Sequence, residues 1–492
     1  MQANWLDKAV GFVNPQSGLR RLRARAVTEQ MLRYEGARHG RRTDNWLAPN
    51  TSSNAEIGPS LPYLRARSRD LVRNDPYARK AVRVLTTNVV GRHGLVPKAN
   101  TGNKPLDKKI NDAYAIWSKE CDADGQLTFG GLQRLMHRAA VESGEVLIRK
   151  RPRRSADGMH VPLQLQVLEA DYLDSNRQWF PNEYNGPTIA GIAFNQLGDR
   201  QAYWMFPWHP GDVIKYVKDG FVSRLIPASE ITHLYEKERP GQVRGVPHLS
   251  AVIMTLKDLG DYDEAERVRK KVEACLSVFV TQAEGAEGPA IAFTSTDPNF
   301  GSRIETVEPG MVEYLKPGED IKTAAPASIS GYGEYLTKQE RRIATGCDVM
   351  YEALTGDLSQ VNYSSYRAGN IEFRAFVEQY RELTFIPMCL QPLWEWFIDA
   401  AFASGIIPER NYGVKWTPPA WQSVDPEKDE MADLLALRKG TKLFAESVIE
   451  QGGDPAEHIA ALQQQNKDFD AAGLTLDSDP RKTARSTGAL QQ

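Results

Sequence analysis

Leu354-Thr355-Gly356-Asp357-Leu358-Ser359-Gln360-Val361-Asn362-Tyr363-Ser364-Ser365 is a polar loop set between two strong helix signals, and the segment Glu334 to Phe402 that contains it organises the chain. Upstream, Thr337-Lys338-Gln339-Glu340 has the form of a capping box. Leu336, Ile343, Cys347, Met350 and Leu354 then recur at spacings of seven, four and three, which makes one narrow apolar stripe. Downstream, Ser364 or Ser365 is placed to cap a helix whose Ile371, Phe373, Phe376, Val377, Tyr380 and Leu383 cover a broad apolar face, so that helix packs on more than one neighbour. Pro387 and Pro392 interrupt the hydrogen-bond ladder without ending the pattern, because Leu390, Leu393, Trp394, Phe397 and Phe402 continue it. The expectation is one long kinked helix, roughly 50 Å at about 1.5 Å per residue.

Met350-Tyr351-Glu352-Ala353-Leu354-Thr355-Gly356-Asp357-Leu358, followed by Val361-Asn362-Tyr363-Ser364-Ser365-Tyr366-Arg367 and Glu372-Phe373-Arg374, resembles the corresponding segment of lambda-type bacteriophage portal proteins, where it forms a tunnel loop and tunnel helix. Ala66 to Ala78, Asn88-Val89-Val90-Gly91, Glu169 to Asp174, His209-Pro210-Gly211-Asp212 and Pro227 to Ile231 are similar to other runs of that family, so the resemblance covers about Ala66 to Trp421. It implies an α+β portal-protein fold with wing, stem, clip and crown regions and a long kinked tunnel helix, forming a ring of about twelve subunits. On that pattern the chain divides into a basic arm and linker (1–60), wing (61–246), first stem helix (247–281), clip (282–332), second stem helix (333–354), tunnel loop (355–365), kinked tunnel helix with return to the wing (366–425), crown helices (426–467) and a disordered tail (468–492).

Composition sets bounds on this. The 492 residues suffice for several sub-domains around a large core. With 41% hydrophobic residues, 25% charged and a net charge of -2, nothing global marks a nucleic-acid binder, so any basic surface must be local. Cys121, Cys275, Cys347 and Cys389 form no paired-cysteine motif, which argues against a zinc module and fits a reducing cytoplasm. Met1 to Gly18 lacks an apolar run of signal-peptide length, and Leu393 to Ile407 is broken by Glu395 and Asp399, so neither secretion nor membrane spanning is expected.

Leu19 to Arg42 carries Arg20, Arg21, Arg23, Arg25, Arg33, Arg38, Arg41 and Arg42 against Glu29 and Glu35. It reads either as a solvated basic arm that touches phosphate or as an exposed arginine-rich helix without a ligand, and Asn50 to Asn54 reads as a linker. Helices are expected at Pro62–Arg73, Pro76–Val89, Asn111–Trp117 and Leu132–Val141. Strands are expected at Glu145–Arg149, Leu163–Leu168, Ile189–Phe194, Ala202–Phe206 and Glu230–Leu234, with Leu197-Gly198-Asp199 as a hairpin turn.

A long helix is expected from about His248 to Val280, supported by the four-apart pairs Asp263 with Arg267 and Glu266 with Lys270. Its second half keeps only a thin stripe among many charges. Such a helix does not suit a monomer core, so it packs either on copies of itself around a ring or as a hairpin with the helix near Gly333 to Leu354. Gln282 to Tyr332 is a Gly- and Pro-rich excursion with strand-like pieces at Ala290–Phe293, Thr306–Val307 and Val312–Leu315. Val414 to Pro419 is extended. Three short helices follow: Pro426 to Lys439, a Thr441-capped helix to Glu450, and Pro455 to about Lys467. From Pro426 to Pro480 twelve Asp and Glu stand against five Lys and Arg, an acidic face unsuited to holding DNA.

Catalytic motifs are missing from the chain: it has no phosphate-cradling GxxxxGK[ST], no HExxH and no GxSxG, and its eight histidines show no ligand spacing. Asp122-Ala123-Asp124-Gly125 only faintly resembles a calcium loop, and His209 and His233 read as core or loop histidines, so no metal, cofactor or catalytic residue is expected. What remains is geometry and charge. A channel for sliding duplex DNA should not grip phosphate, and Asp357, Leu358, Ser359, Gln360, Val361, Asn362 and Tyr363, with one carboxylate and otherwise uncharged groups, suit that need.

By resemblance these loop residues face the lumen, and Lys338, Arg341 and Arg342 form weak basic rings on the stem. The implied partners are further copies of the chain, non-specific double-stranded DNA, the large subunit of terminase, major capsid protein and scaffold, and head-completion or adaptor proteins. The implied location is a capsid vertex of the virion, after assembly in the host cytoplasm. A reading from another class is a metal-dependent nuclease or recombinase that uses the arginine-rich arm, and a third is a monomeric helical adaptor.

Overall fold

The computed structural model describes residues 9–10, 12–21, 23, 41–178, 182–212, 222–274, 278–282, 319–323, 331–422 and 425–474. The chain divides into an N-terminal unit, Met1–Glu56, and a large unit, Ile57–Gln492.

Local chemistry sets most helix ends. α1 (Ser53–Asn74) starts earlier than expected, inside the supposed linker, because the Ser52 hydroxyl accepts a hydrogen bond from the Ala55 amide at 3.3 Å. α2 (Pro76–Val90) is capped by Asp75, which accepts from Ala78 N at 2.8 Å, and it ends at Gly91 with φ 70°. β1 (Val96–Ala99) precedes α3 (Lys104–Glu120) and α4 (Phe129–Ser143), capped by Asn103 and Thr128. Gly144, at φ 88°, ends α4 where a Cβ would stand 2.5 Å from the Val246 carbonyl carbon.

The sheets follow. β2 (Glu145–Pro152), β3 (Leu163–Glu169), β4 (Asn185–Ile189), β5 (Ile192–Asn195), β6 (Arg200–Met205), β7 (Arg224–Pro227) and β8 (Ile231–Tyr235) make two antiparallel sheets, ordered β3-β2-β8 and β4-β5-β6-β7. The single strand expected at Ile189–Phe194 is a tight hairpin instead. Ala190 (φ 48°) and Gly191 (φ 85°) turn the chain between β4 and β5, and Leu197-Gly198-Asp199 forms the expected turn between β5 and β6. Leu147, Leu168, Ile192, Tyr203, Met205, Ile231 and Val243 fill a small core.

α5 (Ile253–Ala274) follows a short 3-10 turn at His248–Ala251 and stops before Val280. Val278–Gln282 is strand β9, paired antiparallel with β10 (Glu319–Thr323) in the register Val280↔Ile321. The β-branched residues Val278, Val280 and Thr281 favour this extended state over a helix that few contacts would reward. The expected four-apart pairs are also replaced: Glu266 meets Arg269 at 2.5 Å, the Arg267 Nε donates to the Asp263 carbonyl, and Lys257 with Asp261 is the four-apart ion pair. The strand-like pieces expected between Ala290 and Leu315 lie outside the described residues.

α6 (Tyr332–Gly346) begins one turn before Thr337, whose hydroxyl donates back to the Gly333 carbonyl at 2.9 Å, so Thr337 is interior and no capping box forms. α7 (Tyr351–Thr355) ends at Gly356, and α8 (Tyr363–Tyr380) is capped by Asn362 rather than by Ser364 or Ser365. The helical chain does not break after Tyr380. Arg381–Leu390 is a π-helical stretch that holds Pro387, the Gln391 amide reaches Ile386 O five residues back, and α9 (Gln391–Ala403) continues with Pro392 in its first turn. β11 (Val414–Thr417) pairs with β1.

The chain then forms α10 (Pro426–Lys439), α11 (Phe444–Glu450) and α12 (Pro455–Ala472). Leu443, not Thr441, begins α11, because Glu446 accepts the Leu443 amide while Thr441 donates to Ala436 O. α12 runs to Gly473, so Asp468 to Ala472, expected in a disordered tail, are helical. The architecture is α+β.

The main core is aromatic where α3, α4 and α9 meet: ring centroids lie 5.0 Å apart for Trp117–Phe397, 5.3 Å for Trp394–Phe397 and 5.5 Å for Trp117–Phe129. The Trp117 indole nitrogen donates to Leu163 O on β3, which joins helices to sheet. Buried Arg381 donates to the Val89 and Asn88 carbonyls, closing the C-terminus of α2 with both hydrogen bonds and positive charge. Burial lowers its pKa to about 10. The Trp421 ring receives Arg374 and Arg381 at 5.1 and 5.0 Å, and Arg367 pairs with Asp429 at 2.9 Å, which holds α10 to α8.

Candidate functional site

Gly356 (φ 78°) stops α7 in the left-handed conformation, and the Thr355 hydroxyl accepts the Asp357 amide at 3.1 Å. Asp357 Oδ1 accepts the Ser359 amide at 2.9 Å, an Asx turn, and the Asn362 side chain accepts the Ser365 amide at 2.8 Å. The loop is thus fixed at both ends by its own residues. Between them Asp357, Leu358, Ser359 and Gln360 are exposed, Leu358 by 63%, while Val361 is half-buried and Asn362 exposed. The side chain of Tyr363 lies outside the described residues. The hydrogen bonds from Ser359 hold the Asp357 carboxyl below its usual range, so it is ionised at neutral pH.

α6 presents Lys338, Arg341 and Arg342 on one exposed face, as their spacing requires. Arg341 lies over the Tyr351 ring at 5.4 Å. Glu340, on the opposite face, is buried and accepts from Tyr77 on α2 at 2.6 Å and from Tyr351 on α7 at 3.3 Å. The Tyr351 hydroxyl also lies 3.3 Å from Asp357 Oδ2, so one phenol connects the loop with the helix before it. Sequence reasoning placed Glu340 in a capping box and did not find Tyr77, which is 263 residues away.

α5 and α6 meet through aromatic rings. Tyr262 stacks with Tyr332 at 5.9 Å and meets Tyr335 at 5.0 Å, and the Tyr332 hydroxyl donates to Asp263 at 2.8 Å. That hydrogen bond, with burial, pushes the Tyr332 phenol up to about 12. Beyond this contact Val268 is 53% exposed.

In the N-terminal unit Arg20, Arg21, Arg23, Arg41 and Arg42 are exposed, and Arg25 lies outside the described residues. Glu169, Asp171 and His209 bring ligand atoms within 4.8 Å of one another, but Arg69 sits 2.9 Å from Glu169 and 2.6 Å from Asp171, so a guanidinium already holds both carboxylates. The Asp122 carboxylate accepts the amides of Asp124, Gln126 and Leu127 and shapes its own loop. Among the described residues no helix is long and apolar enough to cross a membrane.

Residues 39–381 match the family model described as phage portal protein, lambda family. The chain belongs to the lambda family of phage portal proteins. It is a structural protein, not an enzyme. The probable portal protein of Halomonas phage phiHAP-1 is 26% identical over 463 residues, which cover 90% of this chain and 87% of that one. Portal protein B of Escherichia phage lambda is 20% identical over 493 residues, covering 89% and 90%. Among solved structures, the neck of an empty gene transfer agent particle is 14% identical with a TM-score of 0.47, covering 80% of this chain and 94% of that one. The HK97 family phage portal protein from Corynebacterium diphtheriae is 14% identical with a TM-score of 0.29, covering 66% and 86%.

Proposed function

We propose that copies of this chain close into a ring, about twelve in number, at one vertex of a phage head, and that duplex DNA enters and leaves through its centre. Ring closure of this kind uses heterologous, head-to-tail contacts. In this reading α5 and α6 are the stem, the segment between them is the clip, the sheets with α1 to α4 are the wing, α8 to α9 is the tunnel helix, and α10 to α12 are the crown. Residues 355–365 are the tunnel loop. The arginines of the N-terminal arm are candidate phosphate contacts. The large subunit of terminase docks on the clip during filling, head-completion or adaptor proteins replace it, and major capsid protein and scaffold surround the wing.

The observation that carries the reading is the loop itself: a polar segment fixed at both ends yet exposed along Asp357 to Gln360 beside an exposed basic helix face. Such a surface meets DNA through weak, exchangeable contacts and lets it slide. The test is the mass of the purified protein by light scattering, with negative-stain images of the same peak. Particles of about a dozen subunits with a central hole support the ring, and a chain that stays monomeric with capsid protein and scaffold present overturns it. Replacing Lys338, Arg341 and Arg342 by Glu should change DNA packaging or retention and leave assembly intact; unchanged packaging removes those residues from the channel wall.

A further inference from the structure

The ribbon formed by β2 and β3 carries a line of cations that the fold does not use. β8 pairs with β2 only as far as Arg149; beyond that point β2 and β3 run on together, through Pro152↔Leu163 and the Arg153 N to Pro162 O bond, while the far edge of β3 is hydrogen-bonded at Leu165 to Cys121 and Ala123. Its two faces differ. On one, Leu163 and Leu165 are buried and Lys150 reaches the Trp396 ring at 5.8 Å. On the other, Arg149 and Arg151 lie opposite Gln166 and Gln164, and Arg153 donates to Gln164 at 2.7 Å. The sequence Arg149-Lys150-Arg151-Pro152-Arg153-Arg154 therefore sets guanidinium groups at alternate positions, roughly 6.7 Å apart for a strand, with exposed Arg154 at the end.

These charges are poorly compensated. Among the described residues, Arg149 has Glu230 at 3.9 Å and Arg154 has Asp157 at 3.4 Å, while Arg151 and Arg153 have no ion pair. The Arg149 Nε is buried without an acceptor. Burial and the neighbouring Arg151 lower the Arg149 pKa, and Glu230 offsets them only in part. None of the exposed large apolar side chains lies on the ribbon. A protein partner needs an apolar or aromatic anchor at its centre, and this face has none; a polyanionic backbone needs only the cations.

We propose that the β2–β3 ribbon is a second, sequence-independent contact for duplex DNA, made through phosphates and separate from the 355–365 loop. Arg149, Arg151 and Arg154 are the contacting groups, with Arg153 fixed by Gln164.

The test uses the full chain and a short duplex of random sequence, with binding read by fluorescence anisotropy over a salt series. Each lost phosphate contact reduces the slope of log affinity against log salt by about 0.9. The triple variant Arg149→Gln, Arg151→Gln, Arg154→Gln should reduce it by about two to three, and the corresponding Arg→Lys variant should keep it. If the glutamine variant is poorly folded, Arg151→Gln with Arg154→Gln, which leaves the Arg149 pair with Glu230 in place, should still reduce the slope by between about one and two. An unchanged slope in both glutamine variants overturns the proposal. So does polyglutamate that binds the ribbon, displaces the duplex at equal charge and loses binding in the same variants, since that outcome marks an acidic protein partner. Assembled mass is measured in parallel, because a failure to form rings bears on the channel and not on the ribbon.

Discussion

Glu145 and Asp357 are both carboxylates, and the molecule treats them in opposite ways. Glu145 on β2 is wholly buried and accepts from Arg244 Nε at 2.9 Å, Arg65 at 2.8 Å, His233 at 2.9 Å and the Gly245 amide at 3.1 Å. Its pKa falls well below the ordinary carboxylate range, burial being outweighed by Arg244, His233 and their hydrogen bonds. The same network fixes a tautomer. Arg200 can only donate to His233 Nδ1, at 2.9 Å, so Nε2 carries the hydrogen that goes to Glu145, and the ring stays neutral with its pKa lowered to about 4. Asp357 accepts mainly from its own turn and keeps an exposed face. One carboxylate spends its hydrogen-bonding capacity on holding α1, β2, β8 and the loop at Arg244 together, and the other keeps it available to whatever passes.

The most forceful way to break this contrast is Glu145→Gln. It leaves Arg244 and Arg65 buried without their counter-charge and should cost about 3–5 kcal/mol, read from denaturant unfolding. A loss comparable to that of a surface substitution would mean that the network is not structural.

The next effect is on pH dependence. Burial lowers the His137 pKa from 6.5 to about 3, and His233 falls to about 4. Between pH 6.5 and those values the unfolded chain takes up protons that the folded chain refuses, so stability is complete above pH 6.5 and declines as pH falls. The slope approaches about 1.4 kcal/mol per pH unit per histidine. Glu145 adds to the loss below about pH 4.5, where the unfolded carboxyl takes up a proton that the folded one refuses. His137→Phe should flatten the slope by one histidine's share, and an unaltered slope in a folded variant would show that His137 does not titrate this way.

Smaller still, Tyr351→Phe removes a hydroxyl shared by Glu340 and Asp357 and should cost about 1 kcal/mol. Amide exchange should rise at residues 356 to 361 more than in α2; equal protection there would separate the loop from its tyrosine. Asp357→Asn sharpens the comparison from the other side, and should leave the denaturant midpoint where it is in the parent chain.

What could be read in the sequence was what is written locally. Asp75 before Pro76, Asp425 before Pro426, and Gly91 and Gly440 after the apolar runs mark helix ends that depend only on neighbouring backbone groups. The loop was legible for the same reason, with Gly356 closing one helix and a polar cap opening the next, although the cap is Asn362. The Glu145 network was not, since Arg65, His233 and Arg244 lie 80, 88 and 99 residues from it and share no spacing pattern. Nor was the end of α5, because Val278 to Gln282 fits a helical period until β10 offers it a partner. Pro387 was legible as an interruption inside a continuing helix, but the form it takes was not: the ladder lengthens by one residue around it.

Tyr351 has one hydroxyl hydrogen and two carboxylates at the same 3.3 Å. The two bonds are therefore mutually exclusive. When Glu340 holds the hydrogen the loop keeps only the bonds of its own residues, and when Asp357 holds it the buried acid of α6 relies on Tyr77 alone. In the vocabulary of circuits this is an exclusive-or gate of a single proton, with a helix at one input and a loop at the other.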